Sequence, residues 1–141
     1  MTVKVVSIEP QLLVQDAIDL MLEENVGSVV VCDSDGLKGI FTERDVLRLA
    51  GQGGDFGRRH VGDVMTQKVF TVAPDDDILA AAQLMQERRI RHLPVVQGGH
   101  VVGVLGIREA LRTCVERLWR EKDPEAHATA RELLKRRPTS Q

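Results

Sequence analysis

Aromatic residues are scarce in this sequence: 141 residues hold no tyrosine, one tryptophan and three phenylalanines, 3% in all. A base-stacking surface is thereby excluded, and a formal net charge of −2 supplies no basic field, so nucleic acid is not an expected partner. Cysteine is nearly missing too. Cys32 and Cys114 are too few for a disulfide framework and stand in no metal-type spacing, so a reducing, cytoplasmic setting is expected. His60, His92, His100 and His127 are scattered, which argues against a zinc or iron site. Long apolar runs are lacking: Val29–Val31 is strand-sized, far short of a bilayer span. The opening residues turn polar and patterned at once, unlike a secretory leader. No Ser/His/Asp or Cys/His arrangement can be assembled from the elements that the pattern suggests, so no enzyme activity and no required cofactor are expected. What is present is 43% hydrophobic residues and 28% charged ones, enough for one ordinary core.

The chain repeats itself. Shifted by 64 positions, residues 1–50 align with 65–114 without a gap and share fourteen identities. Met1–Thr2 falls on Met65–Thr66, Pro10 on Pro74, Ala17, Leu20 and Met21 on Ala81, Leu84 and Met85, Gly39 on Gly103, and Arg44, Leu47 and Arg48 on Arg108, Leu111 and Arg112. Each copy reads as a short extended segment (Val5–Ile8; Val69–Val72) that runs to a proline, then an amphipathic helix with apolar residues at i, i+3 and i+4. In the second copy Asp75, Asp76 and Asp77 crowd the helix start, where carboxylates meet free N–H groups. Two strands follow (Ser28–Cys32 and Leu37–Phe41; His92–Val96 and His100–Leu105) across turn chemistry at Asp33–Gly36 and Gln97–Gly99. A last helix begins at Thr42 or near Ile107. The division expected is 1–50, the first copy; 51–64, a glycine-rich linker and short connecting helix; 65–114, the second copy; and 115–141, a helical extension with a frayed end. Gly51–Gly57 lacks the strand and the spacing of a phosphate loop and reads as plain linker, and Asp33–Gly36 reads as a turn rather than a calcium loop.

The sharpest chemistry lies in Gly39–Ile40–Phe41–Thr42–Glu43–Arg44–Asp45, where a strand end meets a helix start. Free N–H groups there favour an anion. Thr42 offers a hydroxyl, and Asp45 a carboxylate able to accept both hydroxyls of a ribose diol, with Arg44 in reach of a phosphate. The same Thr42-x-x-Asp45 spacing is also a near capping box, which needs no ligand. Arg88–His92 reads as a basic helix end, with Arg91 and His92 running on into the strand and suited to an anion.

Paired units, the Gly-Ile-Phe-Thr-Glu-Arg-Asp run and Arg91–His92–Leu93–Pro94–Val95–Val96 together resemble the cystathionine-β-synthase (CBS) domain family over residues 1 to about 114. The resemblance implies an α/β (α+β) fold: two β-α-β-β-α repeats related by a pseudo-two-fold axis, packed into one disc-like module that carries a C-terminal helical extension. It implies a regulatory binder of adenosyl compounds, an adenine nucleotide (AMP foremost, then ADP or ATP) or else NAD or S-adenosylmethionine. In the main cleft, Thr42 and Asp45 would hold the ribose and Ile40 line the base pocket; Thr66, Val69 and Thr71 would border the adenine. Arg44, Arg91 and His92 would face phosphate, and Pro94 would shape the wall. A second, weaker cleft would use Thr2, Val5, Ser7, Gly27, Ser28 and Glu109; there Gly106 and Glu109 replace Thr42 and Asp45, and the phosphate cations are missing. After Arg112 the helix is expected to run through Val115, Leu118 and Trp119 to about Lys122, with Ala126, Ala130, Leu133 and Leu134 marking another amphipathic helix beyond Asp123–Pro124. These apolar faces pack back on the chain or form a homodimer, as the CBS faces could. A structural or oligomerising protein with vestigial clefts is the alternative.

Overall fold

The structure, a computed structural model, describes residues 4–120. Thr2, His127 and the expected helix around Ala126–Leu134 lie outside the described residues. The first copy runs β1 (Ser7–Ile8), α1 (Val14–Glu24), β2 (Ser28–Asp33), β3 (Gly36–Thr42) and α2 (Glu43–Gly51). A short α3 (Val61–Val64) follows, and then α4 (Ile78–Arg88), β4 (His92–Gln97), β5 (His100–Gly106) and α5 (Ile107–Arg120). Each hairpin is antiparallel, and each carries a register shift at the same repeat position, Val31/Cys32 in one and Val95/Val96 in the other. Both amphipathic helices close on a left-handed residue, Asn25 at φ 55° and Arg89 at φ 56°.

The copies differ at their first strand. In the first, β1 lies parallel to β2, pairing Ser7 with Val30 and Ile8 with Val31, and Val30 N–H donates to Val6 O at 3.0 Å. The expected strand over Val69–Val72 shrinks in the second copy to one parallel bridge, Val72 with Val95. Pro94 holds the place of Val30 and has no N–H to give, so the ladder cannot extend toward Phe70. Val96 N–H to Val72 O, at 2.8 Å, and Val72 N–H to Pro94 O, at 3.1 Å, are what remain.

The helices are capped by different means. Asp77 accepts from Leu79 N–H at 3.0 Å and caps α4. Leu13 stands at that place before α1 and has no capping side chain. The linker does the work instead: Arg59 O accepts from Val14 N–H at 2.9 Å and Phe56 O from Gln15 N–H at 3.0 Å. The glycine-rich stretch is therefore a docked segment, more than a spacer, and Phe56 packs against the first core.

That core gathers Val14, Val29, Val31, Phe41, Leu49 and Val61, all essentially inaccessible, with each large aliphatic or aromatic side chain contributing about 1.5–3 kcal/mol on burial. The second core is built from smaller pieces, Ala81, Ala82, Ala110 and Cys114 around Met85, Leu93 and Leu105. Arg117 binds Asp77 at 2.9 Å and ties α5 to the head of α4. Burial pushes the Cys114 thiol up, so it is an unreactive core residue. Cys32, on β2, is only half-buried. Among the described residues, no helix is long and apolar enough to cross a membrane.

Candidate functional site

The end of β3 and the start of α2 place Thr42 and Asp45 as a complete capping box. Thr42 Oγ1 accepts from Asp45 N–H at 3.3 Å, and Asp45 Oδ2 accepts from Thr42 N–H at 3.0 Å. Thr42 Oγ1 also donates to Oδ2 at 3.2 Å. The other oxygen, Oδ1, accepts from Thr66 Oγ1 and from Arg48 Nη2, each at 3.2 Å. Arg48 further donates to Val64 O at 3.0 Å. The carboxylate is 6% exposed and its acceptor positions are filled. The capping alternative is thus what the structure contains, and a ligand diol would have to take the places of the Thr42 and Thr66 hydroxyls, both able to rotate away.

Thr66 reaches this point because the second copy opens by pairing with the first. Ile40 N–H donates to Thr66 O at 3.0 Å and Thr66 N–H to Ile40 O at 2.9 Å. Gly39 permits the approach: a Cβ there would stand 2.5 Å from Met65 Sδ and 2.7 Å from Thr66 O. Ile40, Thr42, Asp45 and Thr66 therefore form one bonded group drawn from both copies. Arg48 was not singled out from the sequence. The signal was there, since Arg48 and Arg112 recur three residues after an acid in each copy, and Arg112 pairs with Glu109 at 3.4 Å.

At the rim, Arg44 Nη1 donates to Arg89 O at 3.5 Å, linking α2 to the end of α4. Glu43 N–H donates to Gly27 O at 3.0 Å, just as Ile107 N–H donates to Arg91 O at 2.9 Å. A Cβ on Gly27 would collide with Glu43 Oε1 and stand 3.4 Å from His92 Nε2, so acid and imidazole flank one glycine. Burial pulls the His92 pKa down, opposed by the Glu43 carboxylate and aided by Arg91. Arg91 itself is exposed, Pro94 is buried, and Thr71 and Val69 lie along the unzipped segment, with no bond to the Asp45 group.

Gly27 and Ser28, grouped from the sequence with the second cleft, sit elsewhere. Gly27 adjoins His92, and Ser28 lies directly opposite Thr42 in the β2–β3 ladder. Val5 and Ser7 do line a cavity of about 240 Å³, together with Val30, Cys32, Leu37 and His100. Cys32 thus faces a cavity bounded by both copies. A more open groove of about 690 Å³, bordered by Pro10, Lys38, His60 and Asp63, contains none of the expected site residues. No group of three or more His, Cys, Asp or Glu among the described residues could hold a metal ion.

Two copies of one unit, joined at a helix head, have a family counterpart: the family model described as CBS domain matches residues 1–51 and again 61–116. The chain belongs to the CBS-domain family. Such domain pairs are regulatory, ligand-binding modules. The CBS domain-containing protein CBSX3, mitochondrial, of Arabidopsis thaliana is 41% identical over 108 residues, 72% of this chain but 52% of that protein, so the chain spans about half its length. YhcV of Bacillus subtilis, another CBS domain-containing protein, is 36% identical over 108 residues, 76% of each chain. A solved CBS-domain protein from Burkholderia ambifaria superposes with a TM-score of 0.74 at 34% identity, covering 80% of this chain and 84% of that one. The CBS domain pair of protein MJ0100, solved with 5′-methylthioadenosine and S-adenosyl-L-methionine, shares the fold with a TM-score of 0.69 at 22% identity, over 77% and 90% of the two chains.

Proposed function

We propose that this CBS pair is a non-catalytic sensor that takes an adenosine-containing ligand at the head of α2. An adenine nucleotide such as AMP, and an adenosyl thioether or sulfonium like those bound by the MJ0100 pair, are the candidates. The observation that carries the reading is Asp45: a buried carboxylate held by hydroxyls from both copies, Thr42 and Thr66. A vicinal diol presents the same two donors and would replace them one for one, without stranding a buried charge. A ligand held there touches the first copy through Thr42 and Asp45 and the second through Thr66, Arg91 and His92. Binding then ties the copies together, and the control it exerts equals its differential affinity for the joined and parted states. The conformational change would be read by a partner protein or by a second copy of the chain in a homodimer, in a cytoplasmic setting.

Calorimetric titration of AMP, ATP, NAD and S-adenosylmethionine into the whole chain tests this. Saturable binding of at least one, abolished in Asp45→Asn and weakened in Arg91→Ala, is the expected result. Silence from the whole panel at millimolar concentration overturns it. The fully satisfied capping box favours a second reading, a structural module with closed clefts; that silence, combined with a concentration-dependent dimer in sedimentation, would establish it.

A further inference from the structure

We propose that Glu43 makes the first cleft select adenosyl ligands whose 5′ group is uncharged or cationic, and reject 5′-polyphosphates. The inference rests on the reading above, that adenosine is held by Thr42 and Asp45, and it concerns what lies just beyond the ribose.

The rim was expected to be cationic. Its cations have contacts of their own or stand at its exposed edge. Arg48 is committed to Asp45 and Val64 O, and Arg44 reaches the Arg89 carbonyl. His92 is held toward its neutral form by burial, and Arg91 is exposed at the edge beside it. The group that occupies the gap between the head of α2 and the start of β4 is a carboxylate. Its backbone is fixed by the bond to Gly27 O, and its side chain lies where any side chain at position 27 would have to be.

A glutamate in a first helical turn is favoured by the helix dipole alone, but that preference is met in open solvent and asks nothing of residue 27. The fitted pair is particular to the first copy, because Arg91 and Ile107 hold the places of Gly27 and Glu43 in the second. Ser28 is a separate sign that a polar ligand atom belongs here. It is 4% exposed, and its hydroxyl has no hydrogen-bond partner among the described residues. Opposite residues of an antiparallel ladder share a face, so that hydroxyl lies beside Thr42. A buried hydroxyl without a partner is costly, and a ligand atom at this depth relieves it. A triphosphate brought to the same point would set several negative charges against the Glu43 carboxylate, a like-charge pairing that costs affinity even where solvent screens it. A thioether meets no such repulsion, and an ammonium or sulfonium gains a partner.

The experiment is titration of 5′-methylthioadenosine, S-adenosylmethionine and magnesium-free ATP into the full chain and into Glu43→Gln, at fixed ionic strength. Glu43 is exposed, so the isosteric variant keeps the fold. The native chain should bind methylthioadenosine at least about tenfold more tightly than ATP, a difference of about 1.4 kcal/mol. Glu43→Gln should cut that ratio at least about fivefold by tightening ATP and should weaken S-adenosylmethionine, with methylthioadenosine moving less than about twofold. Gly27→Ala, which displaces the carboxylate without removing it, should shift the ratio in the same direction. An unchanged ratio in Glu43→Gln, or a native chain that prefers ATP, overturns the proposal while leaving the ribose grip standing. Failure of every adenosine compound to bind either protein overturns the ribose grip, and the charge filter with it.

Discussion

Gly39, Asp45 and His92 each carry a consequence for one residue. A methyl group on Gly39 would press on Met65 Sδ at 2.5 Å and on the Thr66 carbonyl at 2.7 Å, and a backbone atom cannot yield as a side chain does. Gly39→Ala should therefore part the Ile40–Thr66 bridge and cost about 1–3 kcal/mol in urea unfolding. Asp45→Ala should cost about 1–2 kcal/mol with no ligand present, because the cap is lost whatever else the carboxylate does. His92 sets a pH dependence. Its folded pKa lies below the unfolded 6.5, so the unfolded chain takes up the proton first. The contribution is fully present above the unfolded value and fades as pH falls through the folded one. Melting temperature should drop between pH 7 and 5 more steeply in the native chain than in His92→Asn, the charged neighbours Glu43 and Arg91 being kept; parallel curves would refute this. At this scale the sequence was partly readable. The Thr42–Asp45 spacing announced a helix head with chemistry, but one spacing serves a cap and a diol alike, and the lone pairs are engaged only once the chain has folded. Glu43 escaped notice because an acid in a first turn is ordinary, and nothing along the chain places Gly27 beneath it.

Strands and helices were more legible than side-chain partners. Turn residues between β-branched runs gave both hairpins, and the periodic Ala, Leu and Met positions gave α1 and α4, since these signals are local. Val69–Val72 failed as a strand for a reason that is not local: the missing donor sits on Pro94, more than twenty residues away. Pro94→Val should restore the donor, and hydrogen exchange should show the new amide protected by the Phe70 carbonyl. Free exchange there would mean that something other than proline keeps the segment open. The cap of α1 was equally hidden, because its acceptors come from the linker. Phe56→Ala should loosen that segment, speed exchange at the Val14 and Gln15 amides and cost about 1–2 kcal/mol, less than a fully buried phenylalanine because Phe56 is only half-buried.

Across the whole molecule the two copies are unequal in substance. Phe41, Leu49 and the valines of the first core outweigh the alanines of the second, and the second sheet has lost its third strand among the described residues. Amides of β4 and β5 should exchange faster than those of β2 and β3 in the native state, and a bridging ligand should narrow the gap by stabilising the weaker copy; equal rates without ligand would refute the ranking. The internal repeat made this architecture readable from the start, while the imbalance depended on which copy received the larger residues and the proline. The linker adds a last consequence. Arg59, Phe56 and Thr66 all follow Gly53–Gly54 in the chain, yet they finish a helix and a sheet that precede it. A chain cut between those glycines would give a first fragment that has left its own finishing pieces on the other. Mixed, the two fragments should find each other and recover the native fold; apart, the first should remain an unclosed half.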